Sequence, residues 1–179
     1  LVGRYLADAI EWEFASLGYG EDVRVAVAME HIEEAGVHAG YSAFVLPPHT
    51  LKPEMIAEIS RQVIAMCKAL GVKGLMNAQF AIKPGADGDE IYILEVNPRA
   101  SRTAPFVAKA TGVQIAKLGA RAMAGEKLDD LPAPNPAPAQ VAGEGAVLPV
   151  ARSPGGDRLR GRGQQCRRAP DGAELWCGR

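Results

Sequence analysis

Cysteine is scarce in this chain. Its 179 residues include three, none in a CxxC pair, which argues against a zinc site and against a disulfide framework. Cys67 falls inside a helical pattern and reads as a small core hydrophobe. No apolar run approaches the length of a membrane span, no secretory leader is visible, and no internal repeat recurs. A reducing cytoplasm is therefore the expected compartment. No nucleophilic side chain is paired with a neighbouring base, so a covalent enzyme intermediate is not indicated. Lysine is lacking from residues 151–179, which carry seven Arg against three acids, a net of +4 in a chain whose total is −1. The first 150 residues are accordingly acidic, at −5. Trp176 is the sole aromatic in the basic stretch, so nucleic acid, which such a stretch could hold through phosphates, is not the expected partner.

What is present is enough apolar material for one good core, or one domain plus a tail: hydrophobic residues make up 47 %. The predicted class is α+β, an antiparallel sheet flanked by helices. Residues 1–18 read equally as helix or strand. Arg24 to Glu34 reads as a strand after the turn-like Gly18-Tyr-Gly-Glu-Asp, and Tyr41 to Leu46 as a short one leading into Pro47-Pro48. His49 reads as a loop residue. The clearest helix runs from about Pro53 to Leu70, with Met55, Ile56, Ile59, Val63, Met66, Cys67 and Leu70 on one stripe and Gly71 as its stop. Val72–Lys83 and Glu90–Asn97 form a predicted antiparallel pair around Pro84-Gly-Ala-Asp-Gly. Helices over about Ala104–Thr111 and Gln114–Ala124, each bounded by glycine, follow. From Leu131 the character changes. Residues 132–154 read as a Pro/Ala-rich linker and 155–179 as a disordered Gly/Arg-rich tail.

The chemistry concentrates in Glu95-Val-Asn-Pro-Arg-Ala-Ser-Arg102. It follows Glu90-Ile-Tyr-Ile-Leu, whose β-branched and aromatic residues suit an extended, largely buried strand. Side chains alternate along a strand, so Glu95 and Asn97 share a face, and Pro98 ends the ladder. A carboxylate and an amide oxygen are hard ligands for Mg²⁺, and the guanidiniums of Arg99 and Arg102 suit phosphate oxygens. The same residues also suit a solvated turn. Asn77 and Gln79 share a face of the preceding strand, and Gln79 placed beside Glu95 supplies a third oxygen, which favours the metal–nucleotide reading. His38, taken alone, reads as a structural loop residue.

The runs MEHIEEAGVHAG, LPPHTL, GLMNAQFAIK, ILEVNPRASRTAPFVAKATGV and AKLGARAMAG resemble the large subunit of carbamoyl phosphate synthetase. The likeness is to the ATP-grasp module of its C-terminal half, which phosphorylates carbamate, and it covers about residues 1–131. A weaker echo runs from Ala146 to Asp157. The resemblance implies an ATP-grasp C-lobe, with Gln79, Glu95 and Asn97 holding the divalent metals (Mg²⁺ or Mn²⁺) that bridge the ATP phosphates. It gives Arg99 and Arg102 the transferred phosphoryl group and the acceptor, and Glu11 the ribose. Gly36, Val37, His38 and Ala39 would line the nucleotide, and Leu6 and Arg4 would meet adenine, Arg4 by position only. His31, Glu34 and Ser42 resemble residues near a potassium site.

In the parent enzyme the implied substrates are bicarbonate and glutamine-derived ammonia, with a glutaminase small subunit and the rest of the large subunit as partners. The product feeds arginine and pyrimidine synthesis. Two departures stand out: Ala39-Gly-Tyr-Ser42 replaces the family's Ser-Gly-Asp-Ser, and Glu11-Trp-Glu-Phe replaces an alternating Val-Asp pattern. In the family a glycine-rich phosphate lid precedes the adenine segment, so this chain reads as a fragment with little or no turnover of its own. Another ATP-grasp ligase or carboxylase, or a non-catalytic fragment binding nucleic acid through its Arg tail, are the alternatives.

Overall fold

A computed structural model of the chain describes residues 6–36, 42–86, 88–133, 141–147 and 163–169, the backbone alone for 146, 147 and 163–169. Strands β1 (Ile10–Tyr19) and β2 (Asp22–Glu34) form a tight hairpin, followed by the short β3 (Phe44–Leu46). Helix α1 (Pro53–Ala69) leads into the pair β4 (Lys73–Lys83) and β5 (Glu90–Asn97). Helices α2 (Ala104–Thr111) and α3 (Ile115–Met123), a 3₁₀ turn at Leu128–Asp130, then β6 (Val141–Val147) and β7 (Gly163–Ala169) complete the order. All seven strands lie in one antiparallel sheet in the order β5-β4-β1-β2-β3-β6-β7.

The ambiguous start resolves as a strand because β1 alternates cleanly. Trp12 and Phe14 face α1, whereas Ala15 and Leu17 face the other helices. The first face holds Trp12, Phe14, Met76, Ala78 and Phe80 against Ile59, Val63 and Cys67 of α1, with Phe14 and Phe80 edge to face at 5.6 Å. Helix α1 stops where its sequence says: Gly71, at φ +59°, lets Gly71 N–H and Val72 N–H reach back to the carbonyls of Lys68 and Cys67. Its entry is fastened by the buried Glu30, whose carboxylate accepts from the His49 and Thr50 amides and the Thr50 hydroxyl.

The opposite face divides in two. Helix α2 packs Ala104, Phe106 and Val107 on Val27, Met29, Phe44 and Leu46, and α3 packs Leu118 and Ala122 on Leu17 and Leu75. Helix α3 sits close because Gly119 carries no side chain; a Cβ there would lie 2.8 Å from Leu75 Cγ. Gly119→Val is therefore expected to destabilise the domain by about 1–3 kcal/mol through overpacking, read as a lower urea midpoint at unchanged slope.

Three expectations change. Strand β5 is not largely buried. It is the outer strand of the sheet, with Ile93 51 % and Leu94 42 % exposed. Its residues have a partner on one side only, so their β-propensity reflects the ladder rather than burial. Within the stretch read as linker, 141–147 is a strand paired to β3, and within the stretch read as disordered tail, 163–169 is a strand paired to β6. Composition counts side chains and overlooks the main-chain donors and acceptors that the outer edge of β3 offers. The rest of both segments lies outside the described residues.

One irregularity matters for chemistry. Gln79 stands opposite Glu95 and Phe80 opposite Ile93, so Leu94 has no partner and forms a bulge in β5.

Candidate functional site

The polar residues of four strands gather on the face that α2 and α3 only partly cover. Register partners share a face, so Met29, Glu13, Gln79 and Glu95 form one row across β2, β1, β4 and β5, and Val27, Ala15, Asn77 and Asn97 form the next. The sheet thus brings Gln79, Glu95 and Asn97 together as the sequence anticipates. Asn97 donates its amide to Glu95 Oε1 at 2.8 Å, which turns its carbonyl oxygen outward from that contact. Glu95 is exposed and Gln79 and Asn97 are half-buried, an open rim of one carboxylate and two amide oxygens. Arg99 and Arg102 follow immediately, both exposed, with Arg99 Nη1 donating to the Ala100 carbonyl at 3.1 Å.

Behind that rim is a buried network centred on Glu13, a residue that sequence reasoning missed. Glu13 is 1 % exposed. Its Oε1 accepts from Asn77 Nδ2 and from the Thr103 hydroxyl, each at 2.6 Å. Ser101 and Thr103 share a further short hydrogen bond. Burial pushes the Glu13 carboxyl up, but the facing His31, Thr103 and Asn77 outweigh it and hold the group below the usual carboxylate value. The signal was available: Glu11 and Glu13 alternate with Ile10, Trp12 and Phe14, a period-two pattern that puts both carboxylates on one face.

Glu11, also buried, has its carboxyl raised chiefly by desolvation, against the lowering effects of His31, the Gly36 amide and Arg102. His31 is 1 % exposed and stands edge-on to Phe44. Its Nε2 lies 3.9 Å from both Glu11 Oε1 and Glu13 Oε2. Its Nδ1 lies 3.2 Å from the Ser42 hydroxyl, which itself donates to Glu33 Oε2 at 2.8 Å. His31 and Ser42 therefore meet, as anticipated. Glu34 does not join them: it sits on the other side of β2 opposite Ile10, and Glu33 takes the place beside Ser42. Gly36 joins the site through Glu11, and Leu6 is half-buried ahead of β1. Arg4, Val37, His38, Ala39 and the divergent Tyr41 lie outside the described residues.

Among the described residues, no three His, Cys, Asp or Glu side chains cluster closely enough to hold a metal by themselves. The rim offers a different donor set. One carboxylate and two amide oxygens on adjacent strands are hard donors that leave sites for phosphate and water, which is what Mg²⁺ prefers. Behind the rim, Glu13 Oε2 is a buried carboxylate oxygen with no hydrogen-bond partner, 3.9 Å from His31 Nε2. The residues present fit a divalent cation.

The family described as "Carbamoyl-phosphate synthase L chain, ATP binding domain" matches residues 1–131. The chain belongs to that family. Relatives named carbamoyl phosphate synthase large chain are 54 % identical over 168 residues in Brucella melitensis and 53 % over 167 in Rhizobium meliloti, each covering 90 % of this chain and 14 % of the relative. The relative in Halobacterium salinarum is 49 % identical over 157 residues, covering 88 % of this chain and 15 % of its own length. The chain therefore spans about one seventh of the curated relatives it matches.

Solved structures place the fold. The biotin carboxylase domain of a single-chain bacterial carboxylase superposes with a TM-score of 0.67 at 18 % identity, over 81 % of this chain and 34 % of that one. An L-amino acid ligase from Bacillus licheniformis gives 0.66 at 20 % identity, over 80 % and 34 %. This member of the synthase ATP-binding family has the C-lobe architecture of ATP-grasp folds.

Proposed function

We propose that this chain is the metal- and phosphate-binding half of an ATP-grasp site that phosphorylates carbamate to carbamoyl phosphate. The observation that carries the reading is the register of β4 and β5, which sets Gln79, Glu95 and Asn97 side by side next to Arg99 and Arg102 in a member of the synthase ATP-binding family. The biotin carboxylase domain of the Hydrogenobacter thermophilus 2-oxoglutarate carboxylase, which superposes at a TM-score of 0.62 over 80 % of this chain, was solved with MgADP and bicarbonate. That supports Mg²⁺ and a nucleotide on this face.

Phosphoryl transfer asks the protein for in-line positioning and for positive charge where negative charge accumulates. Bound Mg²⁺, or Mn²⁺ in its place, would supply neutralisation of the phosphate oxygens. Glu95, Gln79 and Asn97 would hold it. Arg99 and Arg102 steady the phosphoryl group and the anionic acceptor, and Glu13 fixes Asn77 and Thr103 behind them. Glu11 with the Gly36 amide addresses the ribose side. Arg4, Leu6, Val37, His38 and Ala39 are assigned to the nucleotide by family resemblance. His31 and Ser42, with Glu33 in the place foreseen for Glu34, suit a potassium ion.

The parent reaction draws on bicarbonate and ammonia released from glutamine by a glutaminase small subunit, in the cytoplasm, for arginine and pyrimidine synthesis. Calorimetric titration of Mg-ATP into the chain, beside Glu95→Ala, tests the reading. Metal-dependent heat in the wild type that vanishes in the variant is expected. In a complete enzyme, loss of one such preorganised charge costs around 10²–10³ in rate. A folded wild-type chain with no metal-dependent heat sinks the reading.

A further inference from the structure

Strand β6 brings one more carboxylate to this face, and nothing in the nucleotide reading uses it. Glu144 is 5 % exposed, and its Oε2 has no hydrogen-bond partner. It stands opposite Phe44 in the ladder, and Phe44 stands opposite His31, so Glu144 lies on the row that leads into the buried network. The charged groups that act on it are Glu13 of β1, Arg102 of the loop before α2, and Lys109 of α2. Cys166 of β7 is its register partner on the outer side.

The attachment of β6 is slight. Three register pairs, Phe44–Glu144, Val45–Gly143 and Leu46–Ala142, join it to β3, which is itself joined to β2 by two. Among its described side chains, Ala142 is the one in the core, against the cluster that also holds Phe106 and Val107 of α2. An anionic carboxylate with a buried oxygen that lacks a partner opposes such an interface far more strongly than a neutral carboxyl does.

We propose that β6 is a strap over this edge of the site whose docking on β3 is set by the protonation of Glu144: neutral, the strap closes; ionised, it lets go. Burial, helped by Glu13, raises the Glu144 carboxyl to about 7, against the lowering effects of Lys109 and Arg102. A carboxyl raised above its ordinary value of 4.5 gives docking that is strongest in acid and weakens as pH climbs from that value to about 7. Above both values the loss is complete and the dependence levels. The strap is thus at its loosest in neutral solution, and a local fall in pH tightens it. The inference stands apart from the nucleotide reading, since it concerns the chain without ligand.

Amide hydrogen exchange on the chain, corrected for its intrinsic pH dependence, tests it. The expected result is a β6 opening constant that rises at least tenfold between pH 5 and pH 7 and then flattens, measured against β1 and β4 amides as internal reference. Glu144→Gln, of the same shape and never charged, should hold β6 closed with a flat profile. Lys109→Met removes the cation that favours ionisation and should move the midpoint to higher pH. The proposal is overturned by a flat wild-type profile, by β6 amides unprotected at pH 5, or by the same slope in Glu144→Gln. An unmoved midpoint in Lys109→Met, or β6 opening only in parallel with the reference strands, overturns it equally.

Discussion

Replacing Glu13 with alanine is expected to lower the stability of the domain by about 3–5 kcal/mol, the cost of taking one member out of a buried charged network. The loss has two sources. Asn77 Nδ2 and the Thr103 hydroxyl each lose an acceptor at 2.6 Å, in a place water reaches poorly, and donors stranded in this way carry their full desolvation penalty. The loop from Arg99 to Thr103 also loses its tie to β1, because Thr103 is the buried end of that loop. Glu13→Gln keeps the shape and an acceptor oxygen, so it should cost clearly less.

The two variants also differ from the wild type in acid. A Glu13 carboxyl held below its ordinary value of 4.5 stabilises the fold above that pH, and the contribution fades as pH falls through the lower folded value. Glu11 and Glu144, both raised, work in the other direction and cost stability as pH rises above 4.5. Urea midpoints taken from pH 3 to pH 8 should therefore show a shallower acid limb in Glu13→Gln than in the wild type. A midpoint unmoved by Glu13→Ala at pH 7 would contradict the buried network.

Trp12→Ala is expected to cost a similar amount, about 3–5 kcal/mol, by an unrelated route. Trp12 is the neighbour of Glu13 in the chain and points the other way, 1 % exposed in the cluster under α1. Removing its indole opens a cavity among Phe80, Ile82 and the partly buried Ile10 and Met55. That surface can relax only in part, since strands fix it on one side. The loss should be nearly independent of pH, which separates it from the Glu13 effect in one experiment. Together the pair reach roughly 6–10 kcal/mol, comparable to the whole stability of an ordinary domain. The double variant is therefore not expected to fold.

The sequence was most legible where one period governed a long segment. The α1 stripe, the β4–β5 pairing and the ends of α2 were read closely because each rests on local pattern and punctuation: Pro53 at a first turn, Gly71 and Gly112 after helix ends. The rim of Gln79, Glu95 and Asn97 followed from alternation plus pairing, which the register confirms. Glu13 was passed over because its importance comes from partners 64 and 90 positions away in Asn77 and Thr103. Glu33 was passed over for its neighbour because strand parity, not proximity in sequence, decides which of two adjacent carboxylates meets Ser42. Strand β6 was illegible for a third reason. Its residues are small and bounded by proline, and what recruits them is the open backbone edge of β3, a property of another segment.

The bulge at Leu94 bears on how the chain tolerates insertion and deletion. Up to Ile93 the strand keeps Ile91 and Ile93 opposite Ile82 and Phe80; after it, Glu95 and Val96 fall opposite Gln79 and Ala78. One unmatched residue thus absorbs the frame change between an apolar half and a chemical half. Adding a further residue between Ile93 and Glu95 would turn Glu95 and Asn97 together toward the α1 side, away from the face that carries Gln79 and Asn77. The turn at Pro84–Asp89 carries no such constraint, because lengthening it leaves every pair in place. Variation in length should therefore collect in the turn, and the eight residues of β5 should keep their count.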